Sequence, residues 1–174
     1  MMNKYYFKRK IKDAHSEEKP HRKKSTRSKP NLTKKLDKVF SAYIRLRDAM
    51  PSGYFKCISC GQIKPFEQAD CGHFFSRKNM SVRFDEDDCH AECRGCNRFS
   101  SDHLIAYQAN LIRKIGMQRF ELLSAKAHQA KHWSDFELEA MIKHYTAEVK
   151  RLSSLLSTVI PRCCTGDLLP WRWE

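Results

Sequence analysis

No apolar run in this 174-residue chain approaches the ~20 residues that a membrane-spanning helix needs, so no membrane is expected as a partner. No secretory core opens it either, since Lys4, Lys8, Arg9 and Lys10 interrupt the stretch from Met1 to Lys12. Internal repeats are lacking too, which sets aside stacked-repeat architectures. Acids are the scarce charge: twenty Asp and Glu face thirty-three Lys and Arg, a formal +13. The imbalance is local. Residues 1–35 hold thirteen basic residues and three acids, a net of +10, whereas residues 36–174 carry only +3. A basic arm of this kind condenses on phosphate backbones and makes binding salt-dependent, so nucleic acid is the expected partner.

Cysteine is plentiful, with eight residues. Without an export signal, the reading is a reducing cytosol with thiols on metal rather than a disulfide framework. Two knuckles carry it, Cys57-Ile58-Ser59-Cys60 and Cys93-Arg94-Gly95-Cys96. Two C-x-x-C pairs supply four thiolates to one tetrahedral zinc, so Cys57, Cys60, Cys93 and Cys96 are the expected ligands of a structural Zn²⁺. Cys71 and Cys89 have no partner at knuckle spacing and read as small strand residues. Cys163-Cys164 read as incidental thiols of the C-terminal tail.

Residues 1–31 are charged and poor in large apolar side chains, too poor to offset the entropy of ordering, and are expected to be a disordered basic arm. A domain over residues 32–156 follows, and 157–174 read as an irregular tail. The first helix is expected to start near Asn31 to Thr33 and to bury Leu36, Val39, Phe40 and Tyr43, which recur at helical spacing. Asp70–Ser76 and Val82–Phe84 read as two strands joined by a turn at Arg77-Lys78-Asn79. A helix from the second knuckle to Ile115 should turn Leu104, Tyr107, Leu111 and Ile112 inward and stop at Gly116. A third helix is expected over roughly 118–131. The last is announced by a Ser134/Glu137 capping box with a Trp133–Leu138 staple. Its stripe of Leu138, Met141, Ile142, Tyr145, Val149 and Leu152 suits a core or a dimer surface.

Knuckle, β-hairpin and a helix carrying the second knuckle is the order of a treble-clef zinc site. The fold class is therefore α+β, with a small zinc core flanked by an N-terminal helix and C-terminal helices. The spacing around His73 resembles that of HNH nucleases, whose ββα-metal sites place a general-base histidine on the first strand of the hairpin. By that resemblance His73 is the base that activates water, and Asp88 stands where the pattern has an asparagine. Asp88 would then accept a hydrogen bond from the His73 ring. Asn97, directly after the last cysteine, would hold a catalytic Mg²⁺ or Mn²⁺ through its carbonyl oxygen. Gly72 stands where a metal ligand is common, so Asp70, Asp88 or His90 would have to replace it. Arg77, Lys78, Arg94 and Arg98 surround the motif and are candidates for flanking phosphates.

The pieces from Cys57-Ile58-Ser59-Cys60-Gly61, through Gly72-His73 and Arg83-Phe84, to His90-Ala91-Glu92-Cys93-Arg94-Gly95-Cys96-Asn97 resemble the NinG family of lambdoid phages. The helix pattern of Leu104 to Gly116 continues the likeness. This resemblance implies a phage- or prophage-encoded endonuclease in the bacterial host cytoplasm. It would act on branched double-stranded DNA such as Holliday junctions and D-loops. Junction selectivity implies two sites at a fixed separation, hence a homodimer. The rival expectation is a non-catalytic zinc-knuckle nucleic-acid-binding protein of phage recombination.

Overall fold

A computed structural model describes residues 31–159. Almost all of the basic arm, and the tail from residue 160 with Cys163 and Cys164, lie outside the described residues. Helix α1 (Leu32–Arg47) opens on Asn31, whose side-chain oxygen accepts from the Lys34 N–H at 3.0 Å, the bond that favours asparagine at this position. It buries Leu36, Val39, Phe40, Tyr43 and Ile44, the expected stripe extended by one residue. Strands β1 (Tyr54–Lys56) and β2 (Ile63–Pro65) pair antiparallel around the first knuckle. A short 3-10 turn, Phe66–Gln68, then leads into β3 (Ala69–His73).

The partner of β3 differs from the expectation. It is β4 (Cys89–Cys93), with Ala69 opposite Cys93 and His73 opposite Cys89. Val82 and Phe84 form no strand. Turn hydrogen bonds run from Val82 and Arg83 N–H to the Asn79 carbonyl, and from Asp85 N–H to that of Val82. Their side chains plug two separate cores. Phe84 joins Leu36, Phe40, Ile142 and Tyr145, while Val82 joins Ile58, Tyr107, Leu111 and Leu123. Arg83 ties the loop to α1 through a two-pronged pair with Asp37 at 2.6 and 2.9 Å.

The expected long helix after the second knuckle is broken into α2 (Arg94–Phe99) and α3 (His103–Ile115). Ser100, Ser101 and Asp102 lie at the break, residues whose short polar side chains compete with helical backbone bonds. Tyr107 and Leu111 are buried as expected, but Leu104 is 40% exposed. Gly116 ends α3 at φ +84°, a left-handed-side conformation costly for other residues, and α4 (Met117–Ala127) follows at once. Helix α5 (Asp135–Val159) starts with the expected capping box: Ser134 N–H donates to Glu137 at 2.8 Å, and Glu137 N–H to the Ser134 hydroxyl at 3.3 Å. Its apolar stripe is spent within the chain, on α1. The Tyr145 ring lies 4.9 Å from Phe40, edge to face. Among the described residues no helix is long and apolar enough to cross a membrane. Helices with two small sheets bear out the α+β class.

Candidate metal centre and cleft

The first knuckle is a tight turn at the end of β1. Cys57 N–H donates to the Gln62 carbonyl at 2.9 Å, and Gly61, at φ +68°, returns its N–H to the Cys57 carbonyl at 3.0 Å. Cys93 ends β4, with its N–H 3.3 Å from the Cys57 sulfur, and Cys96 lies within α2. The four sulfurs lie within 4.8 Å of one another, and Cys60 and Cys93 are 4.0 Å apart. A tetrahedron of ~2.3 Å Zn–S bonds has edges of about 3.8 Å, so the donors and their spacing fit zinc. Cys57, Cys60, Cys93 and Cys96 thus form a cluster that can hold a metal such as zinc. Beneath it Phe55, Ala69 and Ala91 complete a small core.

A cleft of ≈ 670 Å³ lies beside this frame, lined by Asp70, His73, Arg77, Asn97, Arg98 and His103 among others. The His73 Nε2 lies 3.2 Å from the Arg83 carbonyl, which can only accept. A proton on Nε2 satisfies that carbonyl and leaves the lone pair on Nδ1. Burial lowers the pKa of His73 against the opposing pull of the Arg83 carbonyl, favouring the neutral ring. Asn97 donates to Asp70 Oδ2 at 3.2 Å, and Arg98 grips both Asp70 oxygens at 2.7 and 2.8 Å. Burial pushes the Asp70 pKa up, but Arg98 and Asn97 outweigh it and hold the carboxyl below its ordinary value. Of the three residues considered as a replacement for the missing ligand, Asp70 is the one in contact with Asn97.

The other two are placed elsewhere. Asp88 is fully buried and does not meet His73. Its Oδ1 accepts from Phe75 N–H at 2.7 Å and its carbonyl from Phe74 N–H at 3.0 Å, so it clamps the exit of β3. Burial pushes its pKa up to about 7, against the Phe75 N–H. His90 points away from the cleft. Its Nδ1 lies 2.8 Å from Arg47 and 3.0 Å from Lys114, with Asp48 at 3.5 Å, and the ring is 3% exposed. Arg47, Lys114 and Asp48 thus crowd this nitrogen on the side away from the Asp70–Asn97 pair. Gly72 has a steric reason. A Cβ built there meets the Glu92 carboxylate at 2.4 Å and the Glu92 Cβ at 2.8 Å.

Glu92 was not legible as a site residue, because its surroundings come from three distant segments. It is fully buried, accepts from the Ser59 hydroxyl within the first knuckle, and meets His103 Nδ1 at 2.7 Å. The carboxylate fixes the imidazole that lines the cleft. Asp48 and Arg47 were missed for the same reason; Asp48 accepts from Ala91 N–H at 2.8 Å and Lys114 at 3.1 Å, joining α1, β4 and α3. Of the four candidate phosphate contacts, Arg77 and Arg98 line the cleft, whereas Lys78 and Arg94 are exposed outside its lining. Cys71 and Cys89 are strand residues as read, and their sulfurs share a 4.8 Å neighbourhood with a ring nitrogen of His73.

The fold and site define an α+β protein built on a four-cysteine knuckle, with a polar cleft at its hairpin. Comparison with known proteins places it further. The family profile described as "Bacteriophage Lambda NinG protein" matches residues 3–154, and the chain belongs to that family. It is 30% identical over 133 residues to Protein ninG of Escherichia phage 933W, covering 75% of this chain and 63% of the relative. Protein ninG of Salmonella phage P22 is 30% identical, and that of Escherichia phage lambda 29%, each over 75% of this chain and 62% of its own length. The chain thus spans less than two thirds of these relatives. No solved structure matches.

Proposed function

We propose that this chain is a metal-dependent endonuclease acting on branched double-stranded DNA in phage recombination, in the host cytoplasm, with an HNH-like site. One observation carries the reading: His73, with its Nε2 tied to the Arg83 carbonyl, shares a cleft with the Asp70–Asn97 pair. With the proton on Nε2, the lone pair on Nδ1 takes a proton from water as it attacks phosphorus. Asp70 and the carbonyl oxygen of Asn97 are hard donors that suit Mg²⁺ or Mn²⁺. Such an ion, when bound, stabilises charge on the leaving 3′ oxygen. Arg77 and Arg98 hold flanking phosphates, which positions the duplex without reading bases. Zinc on the four cysteines keeps the hairpin and α2 in place and takes no part in the chemistry.

A second reading has its own support. Arg98 already neutralises the Asp70 carboxylate, as befits a zinc-knuckle module that binds nucleic acid without cutting it. The test is cleavage of a labelled four-way junction and of linear duplex, with and without Mg²⁺, by wild type and His73→Ala. Metal-dependent junction cutting that disappears with His73 supports the enzyme. Equal cutting by the variant removes His73 from the mechanism, and tight binding without cutting by either protein favours the binding module.

A further inference from the structure

The face of the hairpin that carries His73 holds two thiols that the knuckle does not use. Side chains two apart on a strand share a face, so Cys71 and His73 point the same way, and Cys89 lies directly opposite His73 in the β3–β4 register. The three donor atoms lie within 4.8 Å of one another and share none with the four-cysteine cluster. Two sulfurs and an imidazole nitrogen are soft to borderline donors, which select zinc-class ions over Mg²⁺ or Ca²⁺. The Arg83 carbonyl is 3.2 Å from His73 Nε2 and 3.9 Å from the Cys89 sulfur, so an oxygen donor stands at the edge of the group. Cys71 and His73 line the cleft and give an ion a way in, whereas Cys89 is fully buried beneath them. A disulfide fits this placement less well. Cys71 pairs with Ala91 and only diagonally with Cys89, and such diagonal positions lie about 7–8 Å apart, beyond the usual disulfide span.

We propose that Cys71, His73 and Cys89 form a second, soft-metal site, and that a zinc-class ion bound there silences the cleft. The silencing half rests on the reading of His73 as the general base. A neutral imidazole has one lone-pair nitrogen, so whichever nitrogen binds the ion, the other carries the proton and His73 has nothing left to accept with. Binding deprotonates both thiols and leaves the knuckle zinc untouched. The same protein would therefore be active with Mg²⁺ alone and inactive once excess Zn²⁺ fills this second site.

The experiment titrates Co²⁺ into reduced, full-length protein whose knuckle already holds one zinc, and reads the metal count and the thiolate-to-cobalt charge-transfer bands. The expected result is one further tight equivalent with those bands, lost in Cys71→Ala and in Cys89→Ala while the knuckle zinc stays. Cys71→Ala tests a half-buried position and reports even if Cys89→Ala fails to fold. Absence of the second equivalent in wild type overturns the site, and so does its persistence in Cys71→Ala. A Cys71–Cys89 disulfide found by peptide mapping of protein kept under reductant overturns it as well. Junction cleavage in Mg²⁺ is then measured with and without excess Zn²⁺. Zinc inhibition in wild type that Cys71→Ala relieves supports the silencing. Cleavage that zinc leaves intact, with the second equivalent bound, overturns the silencing alone. The metal count is read without any cleavage, so a protein that never cuts DNA defeats the endonuclease reading and leaves the count to decide the site.

Discussion

Replacing Gly72 with alanine sets two effects of opposite sign against each other. In a tolerant site the exchange stabilises by about 0.4–1 kcal/mol, because alanine leaves the unfolded chain less freedom to lose. The backbone of Gly72 is no obstacle, since its φ is not among the positive ones. Space is the obstacle. The new methyl would meet the Glu92 carboxylate at 2.4 Å and its Cβ at 2.8 Å. The carboxylate can swing away, but the Cβ is fixed by β4, so either the hairpin widens or Glu92 leaves its place. Overpacking of this kind costs about 1–3 kcal/mol. Displacing Glu92 also weakens its bonds to Ser59 and His103, each worth about 1.5–3 kcal/mol when one partner is charged. The steric side wins, with a net loss of about 2–4 kcal/mol. At about 2–4 °C per kcal/mol for a chain of this size, the melting temperature should fall by roughly 5–15 °C. Thermal unfolding followed by circular dichroism, at fixed zinc and protein concentration, measures it. Gly72→Asp, which would supply the ligand common at this position in the HNH pattern, should be worse and gain no cleavage. A Gly72→Ala protein melting within about 2 °C of wild type would refute the argument that Glu92 dictates the glycine.

Three further outcomes follow from the same contacts. Burial pushes the Asp48 pKa up, but His90 and Arg47 outweigh it and hold the carboxyl well below its ordinary range. Asp48→Ala leaves Arg47, Lys114 and Ala91 N–H without that partner and should cost about 3–5 kcal/mol by urea unfolding at neutral pH. Cys93→Ser should lose both metal and fold, because a structural zinc contributes on the order of 10–16 kcal/mol of apparent binding energy; zinc content and the loss of a cooperative melt report it. Glu137, held down to about 2 by the Ser134 N–H and Lys131, should titrate at that pH by carboxyl NMR. Its folded pKa lies below its unfolded one, so the cap's contribution is present above the unfolded pKa of about 4.5 and fades as pH falls toward 2. Ser134→Ala removes the hydroxyl that also donates to the Glu137 carboxylate at 2.8 Å and should move that midpoint upward.

Local signals were the legible ones. The knuckles, the Asn31 cap, the Ser134–Glu137 box and the stripes of α1 and α5 each lie within a few residues, and all are present as read. The second strand of the hairpin was not, because Cys-His-Ala-Glu-Cys alternates only small residues with polar ones and has no β-branched or aromatic residue to announce a strand, yet all five residues are buried. Its polar side chains find partners in Arg47, Asp48 and Lys114 on one hand and in Ser59 and His103 on the other, up to forty-three residues away in sequence. Val82 and Phe84 misled for the converse reason. Their spacing imitates a strand, but they anchor two different cores from a looped backbone. The grouping of His73 with Cys71 and Cys89 needed the register, which spacing along the chain does not contain.

Strand β4 therefore links the knuckle to the cleft by more than position. Cys93 belongs to the four-cysteine cluster, and the residue before it, Glu92, accepts from Ser59, which lies inside the other knuckle between Cys57 and Cys60. The same Glu92 oxygen holds His103, which lines the cleft. Four thiolates drawn onto one ion would fix both knuckles at once, and with them the Ser59–Glu92 bond. The first knuckle is also held by Asn110, which donates to the Ile58 and Ser59 carbonyls at 2.7 and 3.1 Å, and the Ser59–Glu92 bond matters because the other carboxylate oxygen, Oε2, has no partner among the described residues. Loss of the Ser59 donor would leave a buried carboxylate short of partners, which is costly, and would loosen its hold on His103. A metal held by the four cysteines would therefore also steady Glu92 and His103, although none of those cysteines lines the cleft.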